Sequence, residues 1–472
     1  MVEINWLFEV EKRKEKIIKE TQDFLRISSV LDESTSTEDA PFGAGIARAL
    51  TYLLQKGEQN DFFVKNVDGF AGIIEYGKGN ESVGILCHLD VVPARKGWTS
   101  PPFSADIRSG RIYARGAIDN KGPTMAAFFA LSIVKELNLE LHKRVRMILG
   151  TDEESNWRCV EHYFKHEEMP TIGFAPDADF PIIHAEKGIT DVSFLWEVKK
   201  DEEVGTLILS MFEAGERFNM VPELARATII GERSLLKELE KNFQKHLLEH
   251  GHTGKVDNTG EELHLRYDGV SAHGSTPENG LNAGTYLASF LAKANFQQAA
   301  NDYLEFIVKH CDFDGEGLQI AVSDEVSGPL TMNAGLFHFQ ANGESKVGLN
   351  IRYPVTASGE ECLNKLKEVA KRENAKLIIQ DHMGPNYVKE DHPLIETLQR
   401  VYERQTGEHA KLLAIGGGTY ARSLKTGVAF GPMFPGREDV AHKKDEYIEI
   451  DDLLRMTAIY AEAIYELAKT ES

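Results

Sequence analysis

Apolar positions in the first stretch recur at the spacing of a helix face. Val10, Ile17 and Phe24 stand seven apart, Ile4, Leu7 and Phe8 open the row, Ile18 and Leu25 lie beside it, and charged residues fill most of the gaps. Ile46, Leu50, Leu53 and Leu54 predict a second helix within 45–55. The pattern then changes to short apolar or β-branched runs at 62–64, 71–76 and 83–87, each closed by Asp, Gly or Asn, which read as strands. A further short strand at 111–114 leads through a turn at 116–121 to Gly122-Pro123, a helix start, with the helix spanning 124–137 and a strand at 145–149 after it. Strand, helix, strand in that order predicts a parallel or mixed sheet covered by helices, and such sheets bind ligands beyond the C-terminal ends of their strands.

Past residue 184 the texture becomes strands alternating with amphipathic helices: 190–196, 206–210, 234–248, 262–267 and 283–294. The last stretch returns to helix, strand and helix at 394–405, 428–430 and 451–468. The expected fold is therefore α/β. One domain, residues 1–184 and 384–472, holds a mixed, mostly parallel sheet covered by helices, and an α+β domain of residues 185–383 is inserted into it, as neighbouring chain ends permit. No internal repeat of solenoid period is visible.

Composition narrows the function classes. At 472 residues, 42% hydrophobic and 27% charged, the chain is long enough for two cores and has ordinary globular make-up. A net charge of −21 argues against nucleic acid, whose phosphates demand Lys and Arg, and against an anionic membrane surface. Lys12, Arg13, Lys14 and Lys16 are followed by no apolar signal segment, and no run approaches the roughly 18 apolar residues of a membrane span, so a cytoplasmic protein is expected. Cys87, Cys159, Cys311 and Cys362 are scattered without a CxxC pair, which fits reduced thiols.

Polar residues collect where the predicted strands end. His88-Leu89-Asp90 closes the apolar run 85–87, and positions two apart on a strand share a face, so Asp90 can support the His88 ring; a capped turn is the simpler reading of the pair alone. Asp119 sits at a strand-to-helix turn, where it is either an N-cap or a carboxylate able to bridge two metal ions about 4 Å apart. Asp152, Glu153 and Glu154 follow the strand at 145–149, and serve either a helix dipole or a metal and its water. Asp177 lies in a Pro-flanked turn, and His442 in a polar loop before the last helix. Singly these are loop residues. Together they form the mixed N/O set suited to zinc or manganese rather than to Ca²⁺ or a thiolate zinc site.

The order and context of five motifs resemble the M20 family of metallopeptidases, and within it the bacterial PepV-type dipeptidases (Xaa-His dipeptidase or carnosinase-like). They are His88-Leu89-Asp90, Gly116-Ala117-Ile118-Asp119-Asn120-Lys121-Gly122, Gly150-Thr151-Asp152-Glu153-Glu154-Ser155, Pro176-Asp177-Ala178 and Ala441-His442-Lys443. The resemblance implies two divalent ions, Zn²⁺ or Mn²⁺ with Co²⁺ also suitable: His88 and Asp177 hold one, Glu154 and His442 the other, and Asp119 bridges them. It implies Glu153 as general acid/base, with an exchange of roles between Glu153 and Glu154 as the alternative, and Asp90 as the partner of His88. In the inserted domain, 268–274 and 276–280 resemble the family's lid motif, which implies that His273 stabilises the oxyanion.

Phe218-Asn219-Met220-Val221-Pro222 and Leu349-Asn350-Ile351-Arg352-Tyr353-Pro354 also resemble family segments. Arg352 can grip a free carboxylate in bidentate fashion, with a surface strand arginine as the plain alternative, and Asn219 can add a hydrogen bond. The glycine-rich stretch 416–422, with Gly416 and Thr419, lacks the Lys of a phosphate-binding loop and reads as lining for the substrate cleft. Lys443, Lys444 and Asp179 depart from the family's usual residues without removing a ligand. The implied activity is metal-dependent hydrolysis of dipeptides by a monomer. An M20 N-acyl-amino-acid deacylase or tripeptidase is the alternative enzyme, and a metal-dependent peptide-binding protein without turnover the alternative of another class.

Overall fold

The computed structural model describes residues 4–197, 207–341 and 343–469. The chain divides into two compact units. One comprises the described residues of Met1–Ala185, Tyr387–Ala414 and Gly418–Ser472, the other those of Glu186–Asn386 with Ile415–Gly417.

The first unit is built on a mixed sheet whose central strands run side by side in the order Ala71–Tyr76, Arg144–Gly150, Ser82–His88, Ile172–Ala175 and Gly427–Ala429. Arg144–Gly150, Ser82–His88, Ile172–Ala175 and Gly427–Ala429 pair in parallel, and Ala71–Tyr76 is antiparallel to Arg144–Gly150. Every residue of Ser82–His88 is buried, as both faces of a covered parallel strand require. The helix Lys121–Glu136 forms the right kind of crossover between two parallel strands and packs against the last helix, Ile450–Ala468. Phe128, Phe129, Leu131 and Val134 from the first and Met456, Ile459, Tyr460 and Ile464 from the second belong to one core.

Two predicted elements differ. The N-terminal row is not one helix but Trp6–Glu11 and Lys14–Leu25, and Leu7 and Phe8 point outward, 42% and 56% exposed, while Trp6 and Val10 turn in. Arg13 accounts for the break: its backbone leaves the helical region, and its guanidinium reaches Glu9 and Glu136. The strand Arg111–Tyr113 stays out of the main sheet and pairs antiparallel with Tyr447–Glu449 and Asp106–Arg108, with Arg111 stacked on Tyr447. The strand preceding the crossover helix in the main sheet is Ser82–His88.

The second unit carries an eight-stranded sheet in the order Thr253–Asn258, Glu262–Asp268, Leu224–Gly231, Leu207–Ala214, Thr331–Gln340, Glu344–Tyr353, Gly188–Glu197, Lys376–Met383. Each of these pairings is antiparallel. Strict alternation of buried and half-buried residues along Glu262–Asp268 shows the two-residue period that fixes its register. The inner face packs on Arg233–His250, Ala283–Leu291, Gln298–His310 and Gly359–Arg372 through residues such as Phe243, Leu287, Phe306 and Leu366. The strand expected from residue 206 is seen from Leu207 onward, Thr206 lying outside the described residues. Among the described residues no helix is long and apolar enough to cross a membrane.

Candidate metal centre

Three neighbouring parallel strands deliver their C-terminal ends to one place. His88 is the last residue of Ser82–His88, Thr151–Glu154 follow Arg144–Gly150, and Asp177 follows Ile172–Ala175. Asp119 precedes the crossover helix, and His442 lies in the loop before Tyr447–Glu449.

The distances converge on Asp119. Its Oδ1 is 3.0 Å from His88 Nε2, and its Oδ2 is 2.9 Å from His442 Nε2. On the His88 side, Asp177 Oδ1 lies 3.3 Å from the same ring nitrogen. On the His442 side, Glu154 Oε1 lies 3.1 Å from Nε2. Ligand atoms of His88, Glu153 and Asp177 all fall within 4.8 Å of one another, as do those of His88, Asp119 and Glu154. Glu153 thus stands next to the His88–Asp177 side, and Glu154 next to the Asp119–His442 side.

Asp90 faces the His88 ring through two groups. The His88 Nδ1 faces the Asp90 main-chain carbonyl at 3.0 Å and the Asp90 carboxylate at 3.6 Å. That carboxylate also accepts from the Glu153 and Glu154 amides at 3.1 and 2.9 Å. The Asp90 carbonyl and carboxylate both face the His88 ring, and the carboxylate also places the two glutamates. Asn120 adds a bond from Nδ2 to Asp177 Oδ1 at 3.0 Å.

The electrostatics favour a cation. Burial, then the charge of Asp177, raise Glu153 well above the usual carboxylate range. Burial also raises Asp177, against the pull of His88. At Asp119 burial is outweighed by hydrogen bonds from His442 and His88, which hold the carboxyl low. Hydrogen bonds to Asp119 and then Glu154 push His442 up to about 10. A positive charge is favoured between these carboxylates, and the donors, mixed imidazole and carboxylate with no thiolate among them, suit divalent ions.

Glu446 is part of this arrangement, and sequence reasoning passed it over. It is fully buried, and its carboxylate meets Arg115 Nη1 at 2.5 Å and the Ile118 amide at 2.9 Å. Burial, then the charge of Asp119, push it up to about 7 against Arg115. Its only signal in the sequence is an acid four positions after His442 in an already acidic loop. Lys121, from the same motif as Asp119, turns away from the site and donates to the Ile27 carbonyl at 2.7 Å.

The remaining predicted residues divide between the units. Thr419, in the first, is buried and caps the turn Tyr420–Ser423 with its hydroxyl. The other four lie in the second unit. Arg352 is 4% exposed, which excludes the plain reading as a surface arginine. Its Nε donates to Asn350 Oδ1 at 2.9 Å and its Nη1 to the Gly416 carbonyl at 2.5 Å. His273 and Asn219 are exposed; His273 Nδ1 lies 2.7 Å from Ser275 Oγ, and the Asn219 carbonyl accepts from the Gly274 amide at 2.8 Å.

Residues 84–466 match the family model described as Peptidase family M20/M25/M40. The chain belongs to this family. Its M20 relatives include the "Putative dipeptidase YtjP" of Bacillus subtilis, 53% identical over 468 residues, 99% of this chain and all of that one. A "Putative dipeptidase" of Staphylococcus epidermidis is 39% identical over 98% of this chain and 99% of its own. Among solved structures, the aminoacylhistidine dipeptidase of Vibrio alginolyticus shares the fold at TM-score 0.60 and 15% identity, covering 97% of both chains. Human carnosine dipeptidase 1 does so at 0.54 and 14%, covering 98% of this chain and 99% of that one. As an M20 peptidase the chain is a hydrolase of peptide bonds, and the cluster around Asp119 is its candidate site for divalent metal.

Proposed function

We propose that this M20 peptidase hydrolyses dipeptides at a centre of two divalent ions, Zn²⁺ or Mn²⁺ with Co²⁺ able to substitute. His88 and Asp177 would hold one ion and Glu154 and His442 the other, with Asp119 shared between them. The observation that carries the reading is the pair of imidazoles facing the two oxygens of one carboxylate, at 3.0 and 2.9 Å. When bound, such ions supply Lewis-acid activation of a water and of the peptide carbonyl. Glu153 takes the proton of the attacking water and returns it to the leaving amine. Its raised proton affinity suits a group that must hold that proton between the two transfers. Asp90 keeps Glu153 and Glu154 apart in role by tying down both amides.

The dipeptide reading draws on the relatives named "Putative dipeptidase", which this chain matches over nearly their full length. In it, residues 1–184 and 384–472 are the catalytic domain and 185–383 the lid. Arg352 grips the substrate's C-terminal carboxylate, Asn219, Gly416 and Thr419 line the cleft, and His273 donates to the oxyanion. Asn350 and the Gly416 carbonyl hold the guanidinium flat for such a grip. The enzyme works as a cytoplasmic monomer.

Metal-stripped protein restored with Zn²⁺ or Mn²⁺ tests this on free dipeptides, a tripeptide and N-acetyl amino acids, with Glu153→Ala as control. Metal-dependent dipeptide cleavage that falls by at least about a hundredfold in the variant is expected, the usual scale of a general base. Cleavage of only the acetylated compounds or only the tripeptide would replace the substrate class. Turnover unchanged in Glu153→Ala would remove its assigned role.

A further inference from the structure

Glu446 lies outside the proposed ligand set, yet both of its oxygens are spoken for. Oε1 accepts from the Ile118 and Asp119 amides at 2.9 and 3.2 Å, and Oε2 from the Gly116 amide and Arg115 Nη1 at 3.1 and 2.5 Å. An ionised carboxylate has about four acceptor sites, so this one is filled and has none to offer a metal. The same Arg115 guanidinium donates from Nη2 to the His442 carbonyl at 3.2 Å. A single buried ion pair therefore grips the backbone before Asp119 and the backbone of His442.

Both segments need such a grip. Residues 116–120 lie between a strand and a helix, without ladder partners of their own. His442 sits at φ 61° with its side chain 54% exposed, so little packing holds the ring toward Asp119. The far end of its loop is pinned independently, Asp445 accepting from the Thr99 amide and hydroxyl at 2.8 and 2.9 Å. What remains to be set is the separation of Asp119 from His442, and the Arg115–Glu446 pair is the element that contacts both.

We propose that Glu446, through its pairing with Arg115, is a positioning residue that fixes the Asp119–His442 spacing and so sets affinity for the ion on the Glu154–His442 side. The inference rests on the dinuclear reading above. Partners that orient ligands commonly change metal affinity by about ten- to a hundredfold when lost. Glutamine is the informative replacement: with a single acceptor oxygen it turns an NH₂ group toward either two backbone amides or Arg115 and Gly116. Aspartate keeps the charge but falls short by one methylene, and Arg115→Lys keeps a cation that cannot span Glu446 and the His442 carbonyl together.

The test is titration of metal-stripped full-length protein with Co²⁺ against a competing chelator, for wild type, Glu446→Gln, Glu446→Asp and Arg115→Lys. Wild type is expected to take two ions. In Glu446→Gln and Arg115→Lys one ion should bind within about twofold of wild type and the other about ten- to a hundredfold more weakly, with Glu446→Asp between. Should Glu446→Gln fail to fold, the other two variants carry the same comparison. Equal weakening of both ions, or two ions bound as in wild type, would overturn the positioning role. Fewer than two ions in wild type would overturn the dinuclear reading and this inference with it.

Discussion

Glu373 in the second unit shows how far a surface carboxylate's charge can be committed to its neighbours. It accepts from Lys309 Nζ at 2.8 Å and faces His310 Nε2 at 3.0 Å. Burial works against its ionisation, but those two partners prevail and hold it below the ordinary glutamate value. A depressed acid stabilises the fold above its unfolded pKa, near about 4.3, and loses that contribution as pH falls through the folded value. Wild type should therefore exceed Glu373→Gln in unfolding free energy at neutral pH, and the gap should close below about pH 4; a pH-independent gap in denaturant titrations would contradict the ion-pair account. At this scale the sequence exposed the ligand-type residues, because His and acids after apolar runs are visible one by one. The His88–Asp90 pair was visible as a spacing of two, but not the second contact that the turn after the strand adds. Ser82–His88 stops at His88, the chain turns, and the Asp90 carbonyl at 3.0 Å joins its carboxylate at 3.6 Å in facing His88 Nδ1. Glu446 stayed hidden because its partners are main-chain amides from another part of the chain.

The strand Arg144–Gly150 and the turn Tyr420–Ser423 meet where space is tightest. A Cβ at Gly150 would overlap the Tyr420 hydroxyl, which lies 2.8 Å from Cys159 Sγ, and the Tyr420 ring stands edge-on to His88 at 6.1 Å. Gly150→Ala is thus an overpacking change at the end of a catalytic strand. It should lower stability by about 1–3 kcal/mol in thermal or chemical unfolding, and an unchanged midpoint would show that Tyr420 can step aside freely. Glycine here reads from sequence only as a strand end, since the clashing ring comes from 270 residues further on. The same limit explains Arg111–Tyr113: its composition says strand, but the choice of sheet is made by Tyr447–Glu449, far along the chain. Periodic helices fared better where the apolar row was continuous, as in Lys121–Glu136, than at Trp6–Glu11, where an ion-paired Arg13 ends the row.

Across the whole molecule, the charge balance and the candidate metal centre reflect the same excess of acid. The chain carries 74 Asp and Glu against 53 Lys and Arg, which disfavours polyanions, while the acids gathered at three strand ends call for cations. The texture of the chain changes near residue 184 and returns near 384, and the two compact units part at Ala185 and at Tyr387. The excursion of Ile415–Gly417 into the second unit was not legible, since three residues in a glycine run carry no periodic signal. The central claim is a pair of divalent ions bridged by Asp119, and anomalous X-ray scattering from crystals grown with Mn²⁺ tests it most directly. The account predicts two peaks about 3.5–4 Å apart, one beside His88 and Asp177 and the other beside Glu154 and His442. A single peak, or peaks away from Asp119, would contradict it.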